Sequence, residues 1–200
     1  MILVNPFSSF PAATGGSNVF SDDFSGANNF VDIQGVTAIV SQRIAAGSAN
    51  SDVWAYYNTA VGNQNMTIEA DMICGVDFGN GGVYSGIVAC VDTLTKTGIA
   101  WRTNGGAGME LLAVNNGSES GINGSWYDGG TLLYPGASVH LKLTTSWAGS
   151  VCTVTGYVNG VQRLQGTTSV GLGKTRAGIC FYSSPTQTSQ TFDNYTAATP

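Results

Sequence analysis

Residues 151–164 have the sequence Val-Cys-Thr-Val-Thr-Gly-Tyr-Val-Asn-Gly-Val-Gln-Arg-Leu. Two strand-like runs flank Asn159-Gly160, a dipeptide that supplies the two positive φ angles of a type I′ turn. A turn of this type joins antiparallel strands because its twist matches theirs. The stretch therefore predicts a β-hairpin.

The chain continues with the same period of two from residue 19 onward. Residues 66–74 alternate apolar and polar side chains with one break at Ile73, and residues 139–144 alternate in the same way. Further strands are predicted at residues 30–40, 53–57, 84–91, 98–103, 109–115, 177–182 and 191–197. About ten strands without helices between them predict antiparallel sheets. The length favours an all-β, two-sheet β-sandwich over a small barrel.

The composition excludes several classes of function. The 200 residues are 42% hydrophobic and 10% charged, with a formal net charge of −5, which indicates one globular domain. An acidic chain offers little positive surface for phosphates, so we expect no nucleic-acid partner. No stretch approaches the roughly 20 apolar residues that cross a bilayer, so we expect no membrane partner.

The first 18 residues differ from the remainder and predict an extended N-terminal arm. Pro6 and Pro11 bracket Phe7 and Phe10, and a polar spacer follows. We therefore divide the chain into an arm at residues 1–18 and a β-sandwich domain at residues 19–200. The arm either covers an edge of its own domain or docks on another chain. The predicted docking side chains are Ile2, Leu3, Val4, Phe7 and Phe10.

The N-terminus and the cysteines bear on the compartment. Residues 1–7 contain no Lys or Arg, and the apolar run that follows Met1 has only three residues (2–4), so we expect no signal peptide and folding in a cytoplasm. The four cysteines form no C-x-x-C pair and lack neighbouring histidines, which disfavours a zinc site. We expect buried free thiols.

Five segments give the sequence a family resemblance. They are 20–24 (Phe-Ser-Asp-Asp-Phe), 66–72 (Met-Thr-Ile-Glu-Ala-Asp-Met), 139–145 (Val-His-Leu-Lys-Leu-Thr-Thr), 156–161 (Gly-Tyr-Val-Asn-Gly-Val) and 192–195 (Phe-Asp-Asn-Tyr). In this order they resemble the concanavalin A-like lectin/glucanase group, specifically its laminin-G-like jelly rolls. The resemblance covers residues 19–197 and implies a jelly roll with its first and last strands adjacent.

The concanavalin A-like group includes enzymes whose catalytic residues follow a pattern. Its glycosidases resemble one another in a strand with nucleophile and acid/base on one face, and Glu69 and Asp71 supply the first two acids. Ile73 and Cys74 stand where the second essential acid would be, so we interpret Glu69 and Asp71 as a solvent-facing pair. His140, the only histidine, lies on the outward face of a strand without a nucleophile elbow and is interpreted as a surface residue. We therefore expect no enzyme.

A structural calcium ion is the cofactor that the resemblance allows, and none is required. Asp22, Asp23, Asp193 and Asn194 lie in the terminal strands that the resemblance places side by side, and oxygen ligands suit calcium. Asp23 and Asp193 are the candidate ligands. The alternative is that they cap turns or accept backbone hydrogen bonds.

Residues 115–130 predict a long polar loop that carries adjacent aromatic residues. Trp126 and Tyr127 could stack on a sugar ring and Asp128 could accept its hydroxyls, so these three are the candidate carbohydrate-binding residues. The alternative is that Trp126 folds back and plugs one end of the sandwich.

Three hypotheses of function follow. Residues 1–7 resemble the Val-Asn-Pro-Phe openings of short bacteriophage virion proteins with lectin-like domains, which favours a virion structural protein, a capsid decoration or an appendage component. It would assemble in the host cytoplasm and dock through its arm on other virion proteins, as a homo-oligomer. The alternatives are a carbohydrate-binding module for a cell-surface glycan and, least favoured, a glycoside hydrolase.

Overall fold

The computed structural model describes residues 18–48, 52–76, 78, 83–105, 108–182 and 190–200. The predicted docking residues Ile2, Leu3, Val4, Phe7 and Phe10 lie outside the described residues. Every regular element in the described ranges is a β-strand. Consistently, these ranges hold no helix of the length and apolarity that a membrane crossing requires.

Fifteen strands make up the described part of the chain. They are β1 (Asn18–Asp22), β2 (Phe30–Gln34), β3 (Thr37–Ile39), β4 (Ile44–Ala46), β5 (Asp52–Tyr57), β6 (Met66–Ile73), β7 (Tyr84–Val91), β8 (Gly98–Thr103), β9 (Gly108–Asn115), β10 (Ser118–Tyr127), β11 (Ser138–Ala148), β12 (Val151–Val158), β13 (Val161–Thr168), β14 (Arg176–Tyr182) and β15 (Thr191–Ala198).

The strands form two antiparallel sheets, and the predicted β-sandwich is confirmed. The eight-stranded sheet has the order β13-β12-β11-β6-β15-β4-β3, and β1 also pairs with β15. The seven-stranded sheet has the order β10-β9-β8-β7-β14-β5-β2. The first and last strands therefore lie side by side, as the family resemblance implies.

The predicted hairpin is present between β12 and β13. Asn159 and Gly160 have φ values of 50° and 76°, and Val158 lies opposite Val161. Both turn residues are therefore in the left-handed region that a type I′ turn requires.

Two predicted segments differ from the structure. The predicted strand at residues 30–40 is divided at Gly35, whose φ of 67° redirects the chain, so that β2 joins one sheet and β3 the other. The predicted loop at residues 115–130 is wrong, because residues 118–127 form β10. A turn at Asn116 and Gly117, with φ values of 48° and 83°, folds β10 back onto β9.

The main hydrophobic core lies between the two sheets. Large aromatic side chains fill it, among them Trp101, Phe181 and Tyr195, which are buried completely. Gly156 makes room for one of them, since an added Cβ would lie 2.6 Å from the Trp101 ring. The indole Nε1 of Trp101 donates to the Tyr157 carbonyl at 3.0 Å, which ties the two sheets together.

The four cysteines are buried, as predicted. They are Cys74, Cys90, Cys152 and Cys180, and each is a free thiol in the structure. Burial raises the pKa of Cys90 to about 11 and that of the other three to about 12. They therefore act as small apolar side chains, not as thiolate nucleophiles.

Candidate functional site

Polar residues that are far apart in the sequence lie on one surface of the eight-stranded sheet because of the strand register. In the eight-stranded sheet, Asp71 of β6 lies between Asp193 of β15 and His140 of β11. Glu69, two residues earlier, lies opposite Lys142. Residues two apart on a strand share a face, so all five side chains belong to the same side of the sheet.

This side faces away from the core. The residues that alternate with Glu69 and Asp71, namely Ile68, Ala70 and Met72, belong to the core between the sheets. We call the outer surface around Glu69, Asp71, His140, Lys142 and Asn194 the polar face.

Hydrogen bonds link the side chains of the polar face into one network. His140 Nδ1 lies 2.8 Å from Asp71 Oδ1, and its Nε2 lies 3.4 Å from Glu69 Oε2. The Asn194 amide donates to Asp71 Oδ2 at 2.8 Å, and Lys142 Nζ lies 3.0 Å from Glu69 Oε1. His140 is thus half-buried between two carboxylates, which is a more specific position than the predicted surface histidine.

The network fixes the charges of its members. Burial alone would lower the pKa of His140, but the hydrogen bonds to Asp71 and Glu69 raise it to about 9. The hydrogen bond to His140 lowers the pKa of Glu69. Burial opposes a low pKa for Asp71, but the bonds from His140 and Asn194 overcome it and lower that pKa. At neutral pH the polar face therefore holds two carboxylates, an imidazolium and an ammonium.

A cavity of about 360 Å³ adjoins the polar face where β1 pairs with β15. Its lining consists of Ser21, Asp22, Asp23, Asn194 and Thr196. Asn194 belongs to both the cavity and the network. Its φ of 50° accompanies a β-bulge in the pairing of β15 with β6, and a bulge redirects side chains locally.

The predicted calcium ligands Asp23 and Asp193 lie in this region, and both accept local hydrogen bonds. Asp23 Oδ1 accepts the Ser25 hydroxyl at 2.7 Å, and Asp193 Oδ1 accepts the Asn194 N–H at 2.8 Å. Burial raises the pKa of Asp193, and the charges of Asp71 and Asp23 add to this effect.

The fit to a calcium ion is poor. Calcium takes six to eight oxygen ligands. Asp22 uses both carboxylate oxygens for donors from Phe24, Asn29 and Tyr57. Within the described ranges, no three His, Cys, Asp or Glu residues form a group that could hold a metal ion. Calcium at Asp23 and Asp193 stays a prediction.

The predicted carbohydrate-binding residues are separated by the strand that contains them. Trp126 and Tyr127 are neighbours in β10 and so point to opposite sides of the sheet. Trp126 is half-buried against the core, whereas Tyr127 is 67% exposed. The two rings therefore form no common platform, and Trp126 lies where the edge strands β10 and β13 meet. That Trp126 plugs one end of the sandwich stays a prediction.

Asp128 caps the turn after β10. Its carboxylate accepts the backbone N–H groups of Gly130, Leu132 and Leu133 at 2.5–2.8 Å. These bonds order the segment that leads to β11. Trp126 and Tyr127 lie on opposite sides of the sheet, and carbohydrate binding by Trp126, Tyr127 and Asp128 stays a prediction.

The outer side of the seven-stranded sheet is a different surface. Residues that alternate with the main core form a second hydrophobic cluster there, and each is at most 6% exposed. They are Trp54, Val88, Val91, Ala100, Leu112, Val114 and Cys180. We call this surface the sealed face, because its apolar side chains are out of reach of solvent.

Ion pairs accompany the apolar cluster of the sealed face. Arg102 binds Glu119 through both terminal nitrogens, at 3.0 and 2.7 Å, and donates to Glu110 from Nε at 2.9 Å. Lys96 bridges Asp52 and Glu119 at 2.5 and 3.6 Å. These charged groups of the sealed face therefore bind one another.

Comparison with known proteins adds evidence on the fold. No protein-family model matches the sequence, and no curated protein matches it significantly. Among solved structures, the carbohydrate-binding module CBM66 from Bacillus subtilis matches with a TM-score of 0.65 at 16% identity, covering 86% of this chain and 96% of that one. The fold is a lectin-like jelly roll.

Two further neighbours share the architecture. The metal-free form of lectin I-B4 from Griffonia simplicifolia matches with a TM-score of 0.59 at 11% identity, over 89% of this chain and 97% of that one. The exoplasmic/lumenal domain of VIP36 in its Ca²⁺/Man-bound form matches with a TM-score of 0.57 at 8% identity, over 88% of both chains. At these identities the likeness shows the fold alone.

Proposed function

We propose that this chain is a non-enzymatic carbohydrate-binding domain and that its polar face is the glycan-binding surface. The observation that carries the proposal is the hydrogen-bonded set Glu69, Asp71, His140, Lys142 and Asn194 on one side of the eight-stranded sheet. The names of the fold neighbours support it, since they include a carbohydrate-binding module, a lectin and a mannose-bound domain.

The chemistry of the polar face suits sugar hydroxyls. Each hydroxyl both donates and accepts, so a recognition surface needs acceptors and donors in fixed positions. Carboxylate acceptors and amide or ammonium donors alternate here across three paired strands. Strands hold such groups more rigidly than loops do.

An aromatic side chain lies within the same surface. Tyr157 of β12 is opposite Lys142, and the Lys142 ammonium lies 5.9 Å from its ring centroid. Aromatic rings provide flat apolar area with a polar tip. Tyr157 can therefore contact the C–H side of a sugar while its neighbours bind the hydroxyls.

The same geometry is unfavourable for glycoside hydrolysis. A glycosidase needs one carboxylic acid that stays protonated at the working pH and a second carboxylate that is ionised. The pKa values of Glu69 and Asp71 are both lowered, so neither side chain of the predicted pair is a proton donor at neutral pH. This supports a binding function over hydrolysis.

A matched pair of variants tests the proposal on a glycan array, followed by calorimetry with the glycans that bind. Asp71→Asn removes a charge from the polar face, and Asp52→Asn removes one from the sealed face. The two side chains are matched, with 23% and 26% exposure and several hydrogen-bond partners each. We expect Asp71→Asn to lose at least roughly tenfold in affinity, as removal of a charged hydrogen-bond partner does, while Asp52→Asn binds normally. Equal affinity of both folded variants and wild type, or no glycan bound by wild type, would refute the proposal.

Attachment to a virion through the N-terminal arm stays a separate prediction, as do homo-oligomerisation and assembly in a host cytoplasm. It rests on the sequence of residues 1–18, and a carbohydrate-binding domain is compatible with it. Phe7→Ala combined with Phe10→Ala should weaken attachment to partner chains while the thermal stability of residues 19–200 changes little. Attachment that survives this double variant would refute docking through the arm.

A further inference from the structure

We infer that Arg163, stacked on Trp126, binds the carboxylate of an acidic sugar. The inference rests on the carbohydrate-binding function proposed above and names a ligand class for it. In this inference Trp126 does not stack on the sugar. Its ring orients the Arg163 guanidinium, which binds the ligand.

A β-bulge places Arg163 at the seam between the two sheets. Tyr157 lies opposite Gln162, and Gly156 lies opposite Leu164, so Arg163 is the extra residue in β13. A bulge redirects the side chain of the inserted residue. The Arg163 guanidinium carbon lies 4.5 Å from the centroid of the Trp126 ring in β10, the edge strand of the other sheet.

The seam itself is firmly closed. The Asn123 amide of β10 donates to the Gln165 carbonyl of β13 at 2.6 Å. The backbone of Gly166 approaches Ile122 so closely that an added Cβ would lie 2.5 Å from it. Arg163 and Trp126 are therefore held between two edge strands of fixed separation.

Three of the seven Lys and Arg residues, namely Arg43, Arg163 and Arg176, form no ion pair with a carboxylate of the described residues. Lys96, Arg102, Lys142 and Lys174 each lie beside a carboxylate. Among the described residues, no carboxylate lies within 4 Å of Arg163, and its Nε is buried without a hydrogen-bond acceptor. The two terminal nitrogens are not among the buried unpaired atoms of the described residues, and they are the groups of Arg163 that a ligand would have to reach.

Arg102 shows what the Arg163 site is missing. Its guanidinium also lies over an aromatic ring, 3.9 Å from the centroid of Tyr84, and its two terminal nitrogens bind the Glu119 carboxylate. Arg163 repeats the cation-over-ring arrangement on Trp126 without a carboxylate in place. A ligand carboxylate at the terminal nitrogens would complete the same geometry, and a fork of two parallel N–H groups matches a planar carboxylate.

The surroundings fit a sugar that carries this carboxylate. Asn123 of β10 and Gln162 of β13 are exposed polar residues close to the pair in these two strands. Their side chains can bind ring hydroxyls, while Arg163 fixes the acidic group. The ligand class is therefore a glycan with a uronic or other carboxylated sugar.

The test compares acidic glycans with their own neutral forms. A glycan array carries glucuronate-, galacturonate- and N-acetylneuraminate-terminated oligosaccharides beside carboxyl-reduced versions of each. The full chain is assayed with Arg163→Gln and with Arg163→Lys, which keeps the charge but loses the fork. Thermal unfolding confirms that each variant is folded.

We expect wild type to prefer at least one acidic glycan over its reduced form by roughly ten- to hundredfold, the size of a charge-assisted hydrogen-bond pair. Arg163→Gln should remove this preference and keep binding of the reduced form, and Arg163→Lys should retain part of it. Equal binding of acidic and reduced glycans by wild type would overturn the inference and leave the proposed function intact. No binding of any glycan would overturn both.

A final arm separates a sugar carboxylate from any carboxylate. Acetate at the same concentration as the acidic glycan should not displace that glycan, because contacts to the sugar hydroxyls add to the affinity of the glycan. Displacement by acetate at that concentration would overturn the assignment to a sugar.

Discussion

The outer sides of the two sheets have opposite characters. The polar face presents half-buried charged groups that hydrogen-bond across β6, β11 and β15. On the sealed face, ion pairs accompany a second hydrophobic cluster that is almost fully buried. Both faces contain carboxylates and cations, so charge alone does not distinguish them. The difference is that the sealed face has a cluster of buried apolar side chains beside its charged groups.

This difference separates stability from recognition. Buried apolar area dominates folding free energy, whereas half-exposed ion pairs contribute little. Substitutions on the sealed face should therefore lower stability, and substitutions on the polar face should alter ligand binding.

Trp54→Ala on the sealed face should produce the largest loss of stability. Trp54 is fully buried, so truncation to Ala leaves a large cavity in the cluster. We expect a loss of about 3–5 kcal/mol in unfolding free energy, measured by urea denaturation. A loss below about 1 kcal/mol would show that the face is not a second core.

Arg102→Ala should produce the second-largest loss of stability. It leaves Glu110 and Glu119 without their shared partner, and a buried pair broken on one side is costly. The two carboxylates are partly exposed, so solvent recovers some of the loss, and we expect about 2–3 kcal/mol. Glu119→Gln, which keeps the shape of the pair, serves as the milder control. Destabilisation no greater than in that control would contradict the account.

His140→Gln should abolish a specific pH dependence on the polar face. The pKa of His140 is raised from 6.5 to about 9 in the folded chain. Its stabilising contribution is therefore complete below pH 6.5 and is lost as the pH rises through about 9. Unfolding free energies of wild type and variant should converge over this interval. A constant difference between them would mean that His140 is not held protonated by Asp71 and Glu69.

Lys142→Ala should have the smallest effect on stability, below about 1 kcal/mol, since its single ion pair with Glu69 is partly exposed, whereas Arg102 is more deeply buried and holds two carboxylates. Its glycan affinity should nevertheless fall if the polar face is the binding surface. Denaturation and calorimetry on the same preparation measure both quantities. A stability loss comparable to that of Arg102→Ala would remove the distinction between the two faces.

Turns and single strands could be predicted from the sequence wherever a few neighbouring residues determine them. The Asn159-Gly160 turn and the alternation in β6 and β11 each depend on a few neighbouring residues. Asn116-Gly117 is the same dipeptide, but we predicted a loop over residues 115–130. Residues 118–127 lack alternation because β10 is an edge strand with mostly exposed side chains, so the polar composition there favoured a loop.

The site depends on register between distant strands, which a single sequence does not contain. Alternation predicts that Glu69 and Asp71 share a face, but their meeting with His140 and Asn194 depends on which strands pair and at which residue. The separation of Trp126 from Tyr127 follows from strand geometry once β10 is recognised. The sealed face was not predicted, because apolar runs such as β7 and β8 do not show what covers their second side.

Chemical-shift mapping by NMR tests whether the polar face is the glycan-binding surface. A glycan identified on the array is titrated into the isotope-labelled chain, and backbone amide shifts are followed. We expect the largest changes in β6 around Asp71, in β11 around His140 and in β15 at Asn194, with little change in β5, β7 and β8. Changes concentrated on the strands of the sealed face, or absent from β6, β11 and β15, would contradict it.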